Sequence, residues 1–569
     1  MSALERKLAW RKVLKSRSAD LSVLRVAVLS TFTAQPGEPF IGMAFEDMAL
    51  PASLWTGPYD QIINECMLPG SDTDRHSPDV FVVWPRLEDL WRRLPAPLTG
   101  PLDQYTHPLL DVIDAVVQAA ARWKSTVVFV LPVIPPLKPL GVGDAANPAG
   151  VVASAEAARS AARRLLAEFG CLVVDADECV RRIGEPGSFD HRLMTTARVP
   201  FTDRLFDEVG RRIARVVALH RRGAAKVAVV DADNTLWGGV VGEDGAEGID
   251  LLDNGPGEAF REFQQWLVDL RRAGMIIALA SKNNEADLWP AFERREMVLR
   301  KEDLAAWRVN WNPKPLNIAE LADELNLGIS SFVFIDDNPV EVGSVAGAYP
   351  ELVALQMPQD PAAWQQAIAD SGALDRLRPT NDDLMRADGY RVEQTRRELR
   401  STMTPEQYRE TLDVEVELID PAPSDLARLS QLVAKTNQFT LGGPRRSEAE
   451  LDALVANAAW SVRLVKAKDR FGDYGIVGAT LAQLPHDGSP HGVLDTFVLS
   501  CRAMGRGVEE AMLADVVEAC SGSVSVTVVE TAKNAPGRTF FATVGARPNL
   551  TTVIADQPWP ATVKRGPRG

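Results

Sequence analysis

Lys226-Val-Ala-Val-Val-Asp231-Ala-Asp233-Asn-Thr235 places two carboxylates at i and i+2 where a short apolar run ends. Four consecutive apolar residues read as a buried strand. Ligands in open α/β sheets bind beyond the carboxyl ends of strands, so the pair stands where chemistry is expected. Taken alone, Asp-x-Asp also fits a solvated turn. Three further elements follow in order: Ser281 after the run 276–280, Lys314 within Asn312-Pro-Lys-Pro, and Asp336-Asp337 after the run 332–335. Together they supply what a phosphoryl group needs. They offer a nucleophile, a proton donor or acceptor, a hydroxyl and a cation for phosphate oxygens, and acidic ligands for a hard metal ion.

The order Asp-x-Asp-x-Thr, Ser, Lys, Asp-Asp resembles the four motifs of the haloacid-dehalogenase (HAD) superfamily. The resemblance implies Asp231 as nucleophile and Asp233 as general acid/base with its backbone carbonyl on magnesium. It implies that Ser281 and Lys314 hold phosphate, helped by Thr235, Lys282 and Asn283, and that Asp336 or Asp337 (Asp337 in preference) completes the metal set. Trp237-Gly238-Gly239 stands where that superfamily carries its flap, and it reads equally as a plain hairpin turn.

Working outward, the 569 residues are enough for roughly three to four domains. Residues 1–222 alternate apolar runs (24–29, 80–84, 126–133, 171–174) with helical periodicity over 109–123 and 153–169, the pattern of a doubly wound parallel sheet. Residues 135–150 read as a long Pro/Gly-rich surface loop. A second α/β unit spans 223–372, its first two strands joined by a helix over 257–273. A third, 373–569, opens with an Arg-rich helix (Arg386, Arg391, Arg396, Arg397, Arg400) and has strands near 462–466, 475–481 and 496–499. That helix reads either as a solvated face or as a basic surface for an acidic partner.

Composition is that of ordinary globular protein, 46% hydrophobic and 24% charged. A net charge of −15 argues against nucleic acid as the main partner. No run reaches the ~18 apolar residues of a membrane span, the start has no signal-type apolar segment, and five cysteines at unpatterned spacings fit a reducing compartment. A cytoplasmic protein with free thiols is expected.

In the third unit Arg502-Ala-Met-Gly505-Arg506-Gly507 links a strand to a helix running to about 519, a natural anion site. The loop resembles that of GNAT-type acyltransferases, which implies a grip on pantetheine phosphate. Cys501 reads either as a small core residue or as a thiolate nucleophile activated by the helix start and by Arg502 and Arg506.

Asp233-Asn-Thr-Leu-Trp-Gly-Gly-Val-Val-Gly-Glu-Asp-Gly245, Ser281-Lys-Asn-Asn284, Lys435-Thr-Asn-Gln-Phe439, Asp469-Arg-Phe-Gly-Asp473, the stretch Ser500–Glu509 and Lys533-Asn534-Ala-Pro536 together resemble the FkbH-like family. These are glyceryl transferase/phosphatases of polyketide assembly lines. The resemblance implies three domains: SGNH hydrolase-like over 1–222, HAD-like Rossmannoid over 223–372 and GNAT-like α+β over 373–569. It implies 1,3-bisphosphoglycerate or a similar acyl phosphate as substrate, magnesium as cofactor, and the phosphopantetheine arm of an acyl carrier protein as acceptor. Arg502, Gly505, Arg506, Gly507 and Asn534 would hold that arm near Cys501. Lys435, Asn437, Gln438, Asp469, Arg470 and Asp473 read as a cleft lining or as a buried network that fixes the fold.

The chain departs from the family at Ala232, where a larger apolar residue is common. It departs again after Phe439, where Thr-Leu-Gly-Gly-Pro replaces Asn-Leu-Thr-Thr-Arg, so a three-carbon acyl group other than glyceryl stays open. Ser30 stands where an SGNH nucleophile belongs, but no Asp-x-x-His follows, the region reading Arg198-Val-Pro-Phe-Thr-Asp203. The first unit is therefore expected to be a docking or structural element. The alternative functions are a plain HAD phosphatase, an acyltransferase using coenzyme A, and a non-catalytic adaptor.

Overall fold

Val26, Ala27, Val28 and Leu29 are all buried, and strands apolar on both faces pair in parallel beneath helices on either side. The computed structural model describes residues 2–566 apart from 17–22, 99–100, 253–254, 326, 378–402, 423–424, 437, 444–445, 447, 487, 501–502 and 532–533. Its first sheet contains β1 (Leu24–Ser30), β2 (Ala52–Thr56), β3 (Val80–Trp84), β4 (Thr126–Leu131) and β5 (Leu172–Asp175), all parallel in the order β2-β1-β3-β4-β5. Alternate residues face opposite layers. Val26 and Val28 pack under the helices Glu38–Asp47 and Asp203–Arg222, and Ala27 and Leu29 under Asp103–Trp123 and Val151–Glu168. The stretch 135–150 runs as a loop with one 3₁₀ turn, Gly141–Ala146, and buried Asp144 accepts the Val151 and Val152 N–H groups to start the next helix.

The second sheet is also parallel: β6 (Val227–Val230), β7 (Ile276–Ser281), β8 (Leu304–Val309), β9 (Phe332–Asp336) and β10 (Val353–Gln356), ordered β10-β9-β6-β7-β8. The chain winds outward from β6 through β7 to β8, then crosses back to lay β9 on the other side of β6. That reversal makes a crevice at the carboxyl ends of β6 and β9, the place where doubly wound sheets bind ligands.

The third sheet is mixed: β11 (Val414–Ile419), β12 (Trp460–Asp469), β13 (Gly472–Gln483), β14 (Gly492–Leu499), β15 (Ser523–Thr527), β16 (Thr551–Ala555) and β17 (Val563–Arg565), in the order β16-β15-β14-β13-β12-β11-β17. Its middle pairs are antiparallel; β14 with β15 and β11 with β17 are parallel. β14 pairs with β15 only through Gly492–Leu494. Further along, the segment after the helix Leu426–Lys435 takes the free edge: Thr440 bridges Val498, and Leu499 donates to the Phe439 carbonyl at 3.1 Å.

The chain forms two compact units, Met1–Ala225 with Ala363–Pro379, and Lys226–Ala362 with Thr380–Gly569. Residues 363–379, which the sequence divided between the second and third units, join the first: Arg215 donates to the Asp370 carbonyl at 2.8 Å and pairs with Asp375 at 3.2 Å. The fold class is mixed α/β, as expected. The Arg386–Arg400 stretch lies outside the described residues. Among the described residues no helix is long and apolar enough to cross a membrane, and Cys66, Cys171, Cys179 and Cys520 are free thiols.

Candidate active site

Val230 pairs with Ile335 in register, so the next residues on each strand, Asp231 and Asp336, emerge side by side, with Asp337 one position on. Carboxylate oxygens of Asp231, Asp336 and Asp337 all lie within 4.8 Å of one another. Lys314, the first residue of the helix Lys314–Leu325, is 2% exposed and reaches into this cluster. Its ammonium donates to Asp231 Oδ1 and to the Ala280 carbonyl and lies 3.4 Å from Asp336 Oδ2, which has no hydrogen-bond partner. Asp336 Oδ1 accepts the Asn338 N–H at 2.8 Å, and Asn338 in turn caps the helix Pro339–Ala348.

Burial, followed by the neighbouring Asp231, pushes Asp336 up to about 7. The same two causes raise Asp337. Asp231 is raised by burial, against the pull of Lys314. Burial alone would lower Lys314, but Asp231 and Asp336 outweigh it and hold the ammonium charged. Fully ionised, three carboxylates against one ammonium carry an excess of two negative charges, and the donors are all oxygen. Such a set fits a hard divalent cation.

Asp233 takes no part in that trio. Its Oδ1 accepts the Trp237 indole N–H at 2.9 Å and the Val241 N–H at 3.0 Å, and its Oδ2 accepts from Asn283 at 2.8 Å. Asn283 also donates to Ser281 Oγ at 3.0 Å, tying the end of β7 to the first motif. Asp233, expected to meet magnesium through its backbone carbonyl, spends its carboxylate on these three donors. Three donors fix the orientation of that carboxylate. Asn234 makes the turn with φ of 53° and accepts the Gly239 N–H at 3.0 Å. Thr235 is fully buried, its Oγ1 without a partner. Lys282 faces Glu341 at 2.6 Å and pairs with it at the rim. The Trp237-Gly-Gly stretch begins an excursion closed at its base: Gly238 and Asp250 exchange backbone hydrogen bonds, and Arg294 donates to the Ala246 and Ile249 carbonyls at 3.1 and 2.9 Å. Glu341, Asn338 and Arg294 were not anticipated. Only Asn338, in Asp-Asp-Asn-Pro, carried a local signal, that of a helix start.

In the third sheet region the expected anion loop is occupied from within. Gly505 (φ 73°) and Gly507 (φ 87°) make the turn before the helix Val508–Ala519, but the Gly505 N–H is accepted by Glu509 Oε1 at 2.7 Å. Arg506 is buried with its guanidinium over the Tyr474 ring at 4.9 Å, not turned outward toward a phosphate. Asn534, expected on the pantetheine arm, is fully buried. It donates to the Val529 and Thr440 carbonyls at 2.8 and 3.2 Å and accepts the Thr531 N–H at 2.9 Å, pinning the segment that covers the edge of β14. Asp469 caps the β12–β13 hairpin by accepting the Phe471 and Gly472 N–H groups and the Tyr474 hydroxyl. Arg470 lies over Phe471, and Asp473 accepts the Gly475 N–H at 2.6 Å. These three residues hold a hairpin. The Gln438 carbonyl accepts the Gly537 N–H at 3.3 Å. Cys501, Arg502, Asn437 and Lys533 lie outside the described residues.

In the first unit Ser30 ends β1 at that sheet's own switch point, but it is buried, and its hydroxyl donates to the Phe32 carbonyl at 2.6 Å. Asp203 starts the helix Asp203–Arg222 and pairs with Lys7 at 2.6 Å.

No protein-family model matches the chain, and no curated protein matches it. Among solved structures, a Mg complex of the N-terminal part of protein BF1531 from Bacteroides fragilis, containing a phosphatase domain, is similar at 25% identity and TM-score 0.58, covering 66% of this chain and 99% of that one. Est24, a carbohydrate acetylesterase from Sinorhizobium meliloti, aligns at 12% identity over 35% of this chain and 99% of its own, TM-score 0.23. An acetyltransferase from Thermus thermophilus aligns at 16% identity over 26% of this chain and 98% of its own, TM-score 0.20. What the chain shares with the Bacteroides structure is an α/β architecture over about two thirds of its length.

Proposed function

We propose that this chain is a magnesium-dependent HAD-type phosphatase coupled to an acyl transferase. In this reading it takes 1,3-bisphosphoglycerate, removes both phosphates and delivers the glyceryl group as a thioester to an acyl carrier protein of polyketide biosynthesis, in the cytoplasm. The observation that carries the phosphatase half is the cluster of buried Asp231 and Asp336 with half-buried Asp337 against Lys314. The magnesium in the similar Bacteroides structure supports it. Asp231, Asp336, Asp337 and the Asp233 carbonyl would hold the ion, which when bound neutralises charge on the phosphoryl group.

Asp231 attacks phosphorus as the bond to the substrate oxygen breaks. Asp233, oriented by Trp237, Val241 and Asn283, gives that oxygen a proton and then takes one from the water that frees Asp231. Ser281 and Lys314 steady the phosphate oxygens. The transfer half rests on the chemistry of the substrate and on the motifs of residues 435–536. An acyl phosphate carries an activated carbonyl, so a thiol expels phosphate from C1 without ATP, and the C3 monoester is left to Asp231.

Intact mass measurement of a pantetheinylated carrier incubated with enzyme, magnesium and 1,3-bisphosphoglycerate tests this reading. A gain of one glyceryl group, replaced by phosphoglyceryl with Asp231→Asn, is the expected result. An unmodified carrier with phosphate accumulating would favour a plain phosphatase, a reading that draws on the occupied Gly505 N–H.

A further inference from the structure

The carboxyl end of β6, where Asp231 stands, lies between the loops that leave β7 and β9. Lys282 is the first residue after β7, and Glu341 lies in the first turn of the helix that follows β9. Their ammonium and carboxylate meet at 2.6 Å, so the pair spans the mouth of the crevice from one flank to the other. The two lysines of the site differ in what holds them. Lys314 is buried and fixed between Asp231 and Asp336, whereas the Lys282 side chain is 36% exposed and Glu341 is its one ion-pair partner among the described residues. An ion pair in contact with water contributes little, because solvent competes for both charges. An incoming anion therefore replaces Glu341 on Lys282 at small cost, and a neutral group gains nothing there.

We propose that Lys282 and Glu341 form a latch across this mouth, and that the latch selects phosphate monoesters carrying a second anionic oxygen group at the far end of a short chain. The proposal rests on the phosphatase half of the reading above. With the ester phosphate seated over Asp231, Lys282 leaves Glu341 and takes the second anion by a charge-assisted hydrogen bond. An ester with a neutral end offers Lys282 no replacement for Glu341, so it must pass a latch that stays shut. Lys314 belongs to the floor and serves the phosphate itself, while Lys282 reads what the phosphate is attached to. Glu341 is the competitor that the substrate must displace.

3-Phosphoglycerate and glycerol 3-phosphate differ only at C1, a carboxylate against a hydroxymethyl group. With magnesium, the full chain should prefer 3-phosphoglycerate in kcat/KM. Lys282→Met should lower that preference about tenfold, chiefly through KM, and Lys282→Arg should restore most of it. Glu341→Gln removes the competitor and should raise the preference about threefold. Opposite signs for the two partners separate a latch from a pair that only braces the fold, because a brace predicts a loss from either side. A second readout needs no turnover. Calorimetric titration of 3-phosphoglycerate into Asp231→Asn should give a Kd that rises when Lys282→Met is added and falls when Glu341→Gln is added. If the parent hydrolyses neither ester but binding follows this pattern, the phosphatase reading falls and the latch stands. Hydrolysis with a preference that neither variant moves, or that both variants lower, overturns the latch alone. Absence of both hydrolysis and binding overturns the two together.

Discussion

Lys314 sits between Asp231 and Asp336, nearly inaccessible to solvent, and its removal leaves two buried acids without their counter-charge. Lys314→Met should cost about 3–5 kcal/mol in urea unfolding, and magnesium should recover part of that loss by supplying positive charge to the same oxygens. Unchanged stability would mean that the carboxylates are already neutral. Asp231→Asn behaves differently because the amide still offers an oxygen to Lys314 and thins the crowded acids. Phosphate release should drop at least about a thousandfold while metal-free thermal stability holds or rises; a joint loss of activity and stability would point to misfolding instead. At this scale the carboxylates and serine of the candidate site were legible in the sequence, because Asp231, Ser281 and Asp336 each announce themselves locally as a polar residue ending an apolar run. Asn534 was not. Its amide serves a carbonyl 94 residues away, and the chain nearby contains no trace of that partner.

The segment after Phe439 shows the same limit at the scale of an element. Thr440-Leu-Gly-Gly, where the sequence departs from the family pattern, closes the edge of β14 where β15 stops pairing. Gly442 has a φ of 76°, and a Cβ there would lie 2.6 Å from the Val529 carbonyl, so this position demands glycine. Gly442→Ala should lose about 2–4 kcal/mol by chemical denaturation, through left-handed strain and overlap together. Asn534→Ala should lose a similar amount, about 2–4 kcal/mol, because it orphans three backbone groups of the same segment. A fully stable Asn534→Ala variant that transfers poorly would restore that residue to ligand binding. Strands buried on both faces were readable from their apolar runs, β6 to the residue. β2, β11 and β17 were not: they lie at or next to sheet edges, and β11 alternates valine and leucine with half-buried glutamate, so each has only a weak apolar run.

For the whole molecule, the acid cluster makes stability a function of both pH and metal. Asp336 titrates at about 7 in the fold against an ordinary 3.8, and Asp231 and Asp337 are raised as well. Between those values the folded chain binds more protons than the unfolded one, so this contribution is full at low pH and is lost as pH rises through about 7. A divalent cation binds the ionised oxygens, and its stabilisation grows over the same window. The ligands belong to the unit Lys226–Ala362 with Thr380–Gly569, while Met1–Ala225 with Ala363–Pro379 forms the other unit, so calorimetry should resolve a metal-sensitive transition from an insensitive one. In chelator the sensitive transition should move down between pH 5 and pH 8. Saturating magnesium should raise it by on the order of 5 °C at pH 8 and by clearly less at pH 5. Equal shifts at both pH values would remove the carboxylates as its ligands, and a common shift of both transitions would show that the two units unfold as one cooperative body.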